Sequence, residues 1–282
     1  MPELPEVETV RRGLERQVSG FVVARVEVLR SRAIASPPLP ELFCSALEGC
    51  TVQQWLRRGK YLMATLERNG QNAGHWGVHL RMTGQFLWMN TPAEPCRHTR
   101  VRIWNPQGQE LRFVDMRSFG EMWWVPPGEP LESVITGLRR LGPEPFSTDF
   151  SPKHLAAKLA GSHRPIKTAL LDQSLVAGVG NIYADESLFL SRIPPRTPSS
   201  DLKTTQLERL HQALVEVLQA SIGAGGTTFS DFRDLTGTNG NYGNAAWVYR
   251  RSGQPCRVCG TVIRRDKLGG RSSHWCPTCQ AA

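Results

Sequence analysis

The spacing of apolar positions changes twice along the chain, and each change predicts a different kind of element. In residues 2–19, Val7, Val10, Leu14 and Val18 recur at intervals of three and four, which puts them on one face of a helix that Ser19-Gly20 ends. Pro2 and Pro5 suit that helix because they stand at its start, where an N–H has no intrahelical acceptor. From residue 21 to about 125 the pattern becomes that of strands. Segments 21–29, 61–66, 77–89, 100–104, 110–114 and 122–125 are rich in β-branched and aromatic residues. Turn signals such as Asn69-Gly70 and Asn105-Pro106-Gln107-Gly108 separate them, so a sandwich or barrel-like β-domain is predicted.

Helical spacing then returns. Pro126-Pro127-Gly128 opens a transition, a short helix is predicted over about 131–141, and Gly142-Pro143-Glu144-Pro145 reads as a hinge. Ser151-Pro152 supplies an N-cap and a first-turn proline for a helix over 153–160. Further helices are predicted over 166–172 and 182–190. The longest, 205–222, carries the stripe Leu207, Leu210, Leu214, Val217 and Leu218, with Thr205 and Glu208 as a capping box. The expected plan is an α+β chain: a β-domain over 1–135 with an N-terminal helix, a linker over 136–150, a helical domain over 151–250 and a cysteine-bearing tail over 251–282. Residues 236–245 are polar and glycine-rich around Tyr242, which suits either a mobile surface loop or a cover over a ligand.

Charge and cysteine usage narrow the class. The 282 residues carry a formal charge of +9, which favours polyanionic partners, nucleic acid before acidic membrane surfaces. No apolar run approaches the roughly 20 residues of a membrane span, and the acidic start is unlike a signal peptide, so a cytoplasmic protein with no membrane partner is expected. A monomer is the expected state. Cys44, Cys50 and Cys96 are scattered and read as small apolar residues. The other four form Cys256-x2-Cys259 and Cys276-x2-Cys279 with sixteen residues between, a spacing suited to one structural Zn2+ in a closed tetrahedral site. Between the hooks lie Arg264, Arg265, Lys267 and Arg271, with Arg271 near the turn of a hairpin. A solvated basic face is one reading of them; bidentate phosphate contact is the other.

The chain start holds candidate chemistry. Loss of Met1 from Met1-Pro2-Glu3-Leu4-Pro5-Glu6 leaves Pro2 as a secondary amine beside two carboxylates. An α-amino group titrates near about 8, so part of it is unprotonated at neutral pH, and attack on an electrophilic carbon gives a Schiff base. Ordinary helix-start chemistry is the plainer reading of the same residues.

Six motifs in order decide between these readings: Pro2-Glu3-Leu4-Pro5-Glu6-Val7-Glu8-Thr9, His79-Leu80-Arg81-Met82-Thr83-Gly84, Asp115-Met116-Arg117-Ser118-Phe119-Gly120, Leu141-Gly142-Pro143-Glu144-Pro145, Gly178-Val179-Gly180-Asn181-Ile182-Tyr183 and the four-cysteine tail. Over essentially the whole chain they resemble the bacterial formamidopyrimidine-DNA glycosylases. The resemblance implies an N-terminal β-sandwich, a helix-two-turn-helix domain and a β-hairpin zinc finger. It implies excision of 8-oxoguanine and ring-opened purines from double-stranded DNA, then strand cleavage by β,δ-elimination, also at abasic sites.

Pro2 would be the nucleophile and Glu3 the general acid/base, helped by a pKa that burial raises. Glu6 would support them or act only as a helix-start carboxylate. Lys60 would reach the damaged nucleotide or its phosphate from a strand. His98, Lys167, Asn181 and Arg271 would contact DNA; Met82, Arg117 and Phe119 would fill the space left by the extruded base. Without the resemblance, Met82 and Phe119 read as core residues and Asn181 as an N-cap. Tyr242 would belong to a loop over the extruded base. Ser230 stands where relatives often carry lysine. Two alternatives remain: an endonuclease VIII-like enzyme for oxidised pyrimidines, and a non-catalytic zinc protein that binds nucleic acid.

Overall fold

Val7, Val10, Leu14 and Val18 are all buried along one face of helix α1 (Leu4–Val18), so the stripe seen in the sequence is the face that packs. The computed structural model describes residues 1–227, 240 and 242–281. After α1 come β1 (Arg25–Val28), β2 (Ile34–Ser36), α2 (Pro40–Leu47), β3 (Thr51–Arg58), β4 (Tyr61–Arg68), β5 (Gln71–His79), β6 (Gly84–Met89), β7 (Thr99–Trp104), β8 (Glu110–Asp115), β9 (Glu121–Val125) and α3 (Leu131–Val134). Two sheets result, ordered β1-β7-β8-β6 and β2-β9-β5-β4-β3, antiparallel except for the parallel pair of β2 and β9. Side chains from both meet in one core: Trp55 and Trp76 of the five-stranded sheet stand 6.3 and 5.9 Å from Phe86 of the other, edge to face. Full burial of each such ring is worth about 1.5–3 kcal/mol. The first unit, Met1–Arg139 with the described residues of Gly225–Asn241, is thus the expected sandwich.

Three local expectations need correction. The single strand expected over 77–89 is two strands in different sheets, joined by a turn at 80–83. Apolar and polar residues alternate through Leu80, Arg81, Met82 and Thr83 as they do in a strand, so the pattern cannot report that break. The strand expected over 21–29 shrinks to β1, and Val22 makes only an isolated bridge to Thr51. β3 and α2 were not anticipated: Gln53-Gln54 and Arg57-Arg58 mask the strand, and α2 buries only Phe43 and Leu47.

The second unit comprises Arg140–Ala224 and Tyr242–Ala282. It holds α4 (Pro152–Leu159), α5 (Ile166–Leu170), α6 (Asn181–Leu190), α7 (Thr204–Gly223) and the hairpin β10 (Arg264–Leu268) with β11 (Arg271–Trp275). The Ser151 hydroxyl caps α4 by accepting from His154 N–H at 3.2 Å. α7 begins one residue earlier than expected, so its capping side chain is Gln206, which accepts from Lys203 N–H at 2.9 Å, rather than the Thr205–Glu208 pair. Residues 142–145, read as a hinge, are bonded into this unit: Gly142 N–H donates to Gln173 O at 2.8 Å and Ala177 N–H to Pro143 O at 3.0 Å. A Cβ at Gly142 would lie 2.3 Å from Ser174 O, which is why a glycine stands there.

Candidate functional site

Pro2 and Glu3 are buried at the start of α1, with Met1 exposed before them. Glu6 fixes this turn. Its Oε2 accepts from Glu3 N–H at 2.8 Å, and its Oε1 accepts from Thr227 N–H at 2.8 Å and the Thr227 hydroxyl at 2.7 Å. Gly226, at φ +81°, makes that approach possible, since a Cβ there would meet Glu6 Oε1 at 3.2 Å. Glu6 therefore ties the chain start to residue 227, a structural task that the first-turn position alone did not reveal.

Lys60 lies on the Gly59–Lys60 turn between β3 and β4, not within a strand as expected, and is buried. A chain of polar contacts connects that turn to α1. Glu8 receives Arg11, Arg12 and Arg57 at 3.0, 2.9 and 3.1 Å, and Arg57 also donates to Gly59 O at 3.0 Å. Burial alone would raise the Glu8 carboxyl, but the three guanidinium groups outweigh it and hold the pKa below the ordinary glutamate value. Helix α1, which begins behind Pro2 and Glu3, and the lysine turn are thereby held within one framework.

Met82 occupies the 80–83 turn, half-buried, while Arg117 and Phe119 are exposed on the loop after β8. Phe119 is 40 % exposed, and the Arg117 guanidinium lies 4.8 Å from its ring centroid. Strand periodicity would have placed Met82 and Phe119 in the core; the loops carry them outward instead. Sequence reasoning passed over Met116, whose side chain is also exposed on this loop. His98 lies half-exposed in the turn before β7, its ring accepting from Arg97 Nε at 3.0 Å.

In the second unit, Asn181 is the first residue of α6, with Gly180 as N-cap, and its amide donates to Ser272 Oγ at 3.3 Å. Gln173 shapes the approach to that helix, accepting from Gly178 N–H at 2.9 Å and donating to Val179 O at 2.8 Å; nothing in the sequence pattern singled it out. Arg271 begins β11, exposed beside the turn Gly269-Gly270, whose φ values of +54° and +77° require glycine.

Two of the residues expected at the DNA or the damaged base are buried in this unit. Lys167 is 1 % exposed, with its ammonium 2.6 Å from Asp185 Oδ1 and hydrogen-bonded to Ser272 O, so it helps to hold β11. Tyr242 is 5 % exposed and packs 5.9 Å from Tyr183 in the core of this unit. Burial pushes its hydroxyl pKa up, with the Glu186 and Glu216 charges acting the same way. Ser230 lies outside the described residues.

The sulfurs of Cys256, Cys259, Cys276 and Cys279 lie within 4.8 Å of one another, and no other such cluster occurs among the described residues. The Cys256–Cys279 and Cys259–Cys276 separations are 3.8 and 3.5 Å. A tetrahedral zinc with metal–sulfur bonds of about 2.3 Å needs edges of about 3.8 Å, so these four sulfurs fit one structural Zn2+. Backbone N–H groups of Val258 and Cys279 point at Cys256 Sγ and Cys276 Sγ at 3.4 Å, as thiolate ligands require.

Residues 1–122 match the formamidopyrimidine-DNA glycosylase N-terminal domain, 141–233 the H2TH domain of the same enzymes, and 253–282 the zinc finger found in FPG and IleRS. The formamidopyrimidine-DNA glycosylase of Parasynechococcus marenigrum (strain WH8102) is 69 % identical over 280 residues, spanning 99 % of this chain and 100 % of that protein. The chain belongs to the formamidopyrimidine-DNA glycosylase family. The relative from Synechococcus sp. (strain ATCC 27144 / PCC 6301 / SAUG 1402/1) is 64 % identical over 280 residues, covering 99 % of each chain. Among solved structures, Lactococcus lactis Fpg in complex with DNA containing an abasic site matches at TM-score 0.90 and 34 % identity, covering 99 % of this chain and 100 % of that one. A complex of the same glycosylase with Fapy-dG-containing DNA matches at TM-score 0.89 and 34 % identity over 99 % and 100 % of the two chains. The sandwich, helix-two-turn-helix and zinc-finger plan of the glycosylases is therefore the plan of this chain.

Proposed function

We infer that this chain is a bifunctional DNA glycosylase and abasic-site lyase of base-excision repair, acting on double-stranded DNA that contains oxidised purines or abasic sites. What supports the substrate is full-length identity of 69 % to a glycosylase named for formamidopyrimidines and the likeness to complexes with Fapy-dG-containing and abasic-site DNA. The observation that carries the chemistry is the buried Pro2-Glu3 pair at the head of a helix fixed at both Glu6 and Glu8.

With Met1 removed, the Pro2 nitrogen attacks C1′ of the extruded nucleotide and the damaged base departs, with Glu3 moving the proton at the opening sugar. The resulting iminium acidifies the neighbouring C2′ proton, whose loss expels the 3′ phosphate; a second elimination expels the 5′ phosphate. Lys60 orients the nucleotide from its turn. Met82, Arg117 and Phe119 occupy the vacated space, where the fork of donors on Arg117 suits the orphaned base. Asn181, Arg271 and His98 hold phosphates. Zinc supplies no step: bound by the four cysteines, it stabilises the hairpin that presents Arg271. Among the described residues no helix is long and apolar enough to cross a membrane, and a cytoplasmic site of action at the chromosome accords with the reading.

Borohydride trapping tests it. With a duplex containing 8-oxoguanine, reduction is expected to fix the protein to DNA, with the adduct mapping by peptide mass to an N-terminal peptide that begins at Pro2. An adduct on a lysine, a mature chain that retains Met1, or faster cleavage of thymine glycol than of 8-oxoguanine would each overturn a stated part of the reading.

A further inference from the structure

Asp115, the last residue of β8, is fully buried yet contacts both loops that carry the gap-filling side chains. Its Oδ1 accepts from the Thr83 hydroxyl at 2.5 Å and from Arg117 N–H at 3.1 Å; its Oδ2 accepts from Gly120 N–H at 2.6 Å. Thr83, its single proton given to Asp115, accepts in turn from Arg117 N–H at 3.0 Å. One carboxylate therefore closes the 115–120 loop upon itself and joins it to the turn that holds Met82. The backbone of Asp115 also donates to His98 O at 2.9 Å, which brings a third candidate DNA contact onto the same point.

The surroundings are shaped to this junction. Gly84 and Gly120, the glycines that end the two motifs, approach the same ring: a Cβ at either would lie 2.8 or 2.6 Å from Phe113 Cζ. At Gly120 it would also stand 3.0 Å from Asp115 Oδ2. Arg81 and Ser118, one in each loop, have φ values of +51° and +54°, left-handed conformations that cost a residue with a Cβ about 1 kcal/mol or more. Such strain persists only where neighbouring contacts over-determine the backbone. Here they do: Arg81 is held by Glu121 at 2.5 Å and by His79 Nδ1 at 2.9 Å, and Ser118 O accepts from Arg32 Nε at 3.0 Å.

We propose that Asp115 and Thr83 are positioning residues for lesion extrusion, joining the Met82 turn and the Arg117–Phe119 loop into one preformed wedge. The proposal rests on the glycosylase reading and on the gap-filling role given above to Met82, Arg117 and Phe119. Neither Asp115 nor Thr83 touches DNA; they act through the loops. Extrusion costs a few kcal/mol in lost stacking and pairing, and a wedge ordered in advance avoids adding the cost of ordering two loops at that moment.

The test compares Thr83→Val, which keeps shape and loses the hydroxyl, with Thr83→Ser, which keeps the hydroxyl, and with Asp115→Asn. An asparagine has an acceptor at one end only, so its amide must face either Gly120 N–H or Arg117 N–H with a donor. Two substrates separate the roles: a duplex with 8-oxoguanine opposite cytosine, and a single-stranded oligonucleotide with an abasic site, which has no base to extrude and no partner strand to fill. Thr83→Val is expected to slow single-turnover excision from the duplex about tenfold and Asp115→Asn about a hundredfold, the range misplacement of reacting groups produces. Cleavage of the single strand should stay within about twofold of wild type, and Thr83→Ser should restore duplex excision to within about twofold, as a lost orienting contact predicts. Duplex excision by Thr83→Val at the wild-type rate, parallel loss on both substrates, or a Thr83→Ser variant as slow as Thr83→Val would overturn the positioning role. A wild-type chain inert on both substrates would overturn the glycosylase reading itself, and this inference with it.

Discussion

At the scale of single residues, burial rather than identity separates contacts from supports. Lys167, a buried lysine in a basic chain, has an internal carboxylate, Asp185, at 2.6 Å, a pairing that gives it a part in the fold. Removing the lysine leaves a buried carboxylate without the Lys167 ammonium, held by its contacts to Ser273 and His274. Lys167→Met is therefore expected to lower stability by about 3 kcal/mol, with Asp185→Asn added to it recovering part of the loss; urea unfolding reads both, and a loss below about 1 kcal/mol would refute the assignment. His79 offers a second prediction. Burial, with the Arg81 and Lys60 charges, pushes its pKa down to about 3, so its neutral Nδ1 accepts from Arg81 N–H throughout the neutral range. The unfolded chain takes up a proton at this residue near pH 6.5 that the folded chain refuses until about 3, so stability falls as pH falls through that window. In His79→Asn the side-chain oxygen replaces Nδ1 and does not titrate. The thermal midpoint of wild type should decline more steeply below pH 6.5 than that of the variant, in which His75, whose pKa burial also lowers, still contributes. Equal slopes in the two proteins would count against it.

Elements were legible where one periodicity ran without interruption. α1 and α7 bury the stripes their spacing announces, because an amphipathic helix carries its packing face in its own sequence. Residues 77–89 read as one strand because apolar and polar residues alternate through the turn at 80–83, and only the existence of two layers makes a turn there necessary. The same turn explains why strand periodicity placed Met82 in the core, whereas the family resemblance assigned it to the DNA side. α6 shows an opposite case. It buries Asp185 and Glu186 side by side, which no amphipathic rule predicts. Their partners are distant in sequence: Asp185 binds Lys167 and His274, while Glu186 accepts from the N–H groups of Trp247, Val248 and Tyr249 at 2.7, 2.9 and 2.8 Å. A helix that fastens two later segments through carboxylates keeps its polar residues inside.

At the scale of the whole molecule, the finger and the helices form one unit with a shared core: Phe189 of α6 stacks 5.7 Å from Trp247, and Cys256, Ile263 and Cys276 join the same cluster. Gln280 extends this, accepting from Cys276 N–H and donating to Ile193 O, both at 2.9 Å. Metal analysis should return one zinc per chain. Its removal with a chelator is expected to lower the unfolding midpoint of the second unit and weaken DNA binding, while the sandwich, with a core of its own, keeps its transition; calorimetry with and without chelator checks this, and two unaltered transitions would refute a structural zinc. The sequence by itself determined the order of the parts, the amphipathic helices, the four metal ligands and the proline directly behind Met1, because each is written in local spacing or in residue chemistry. Only the tertiary structure decided which charged groups face inward: Glu6 on residue 227, Lys167 on Asp185, Asp115 across two loops. The physical reason is that a buried charge is tolerated only with its partner in place, and these partners lie 18 to 221 residues away, on other elements, where no local periodicity records them.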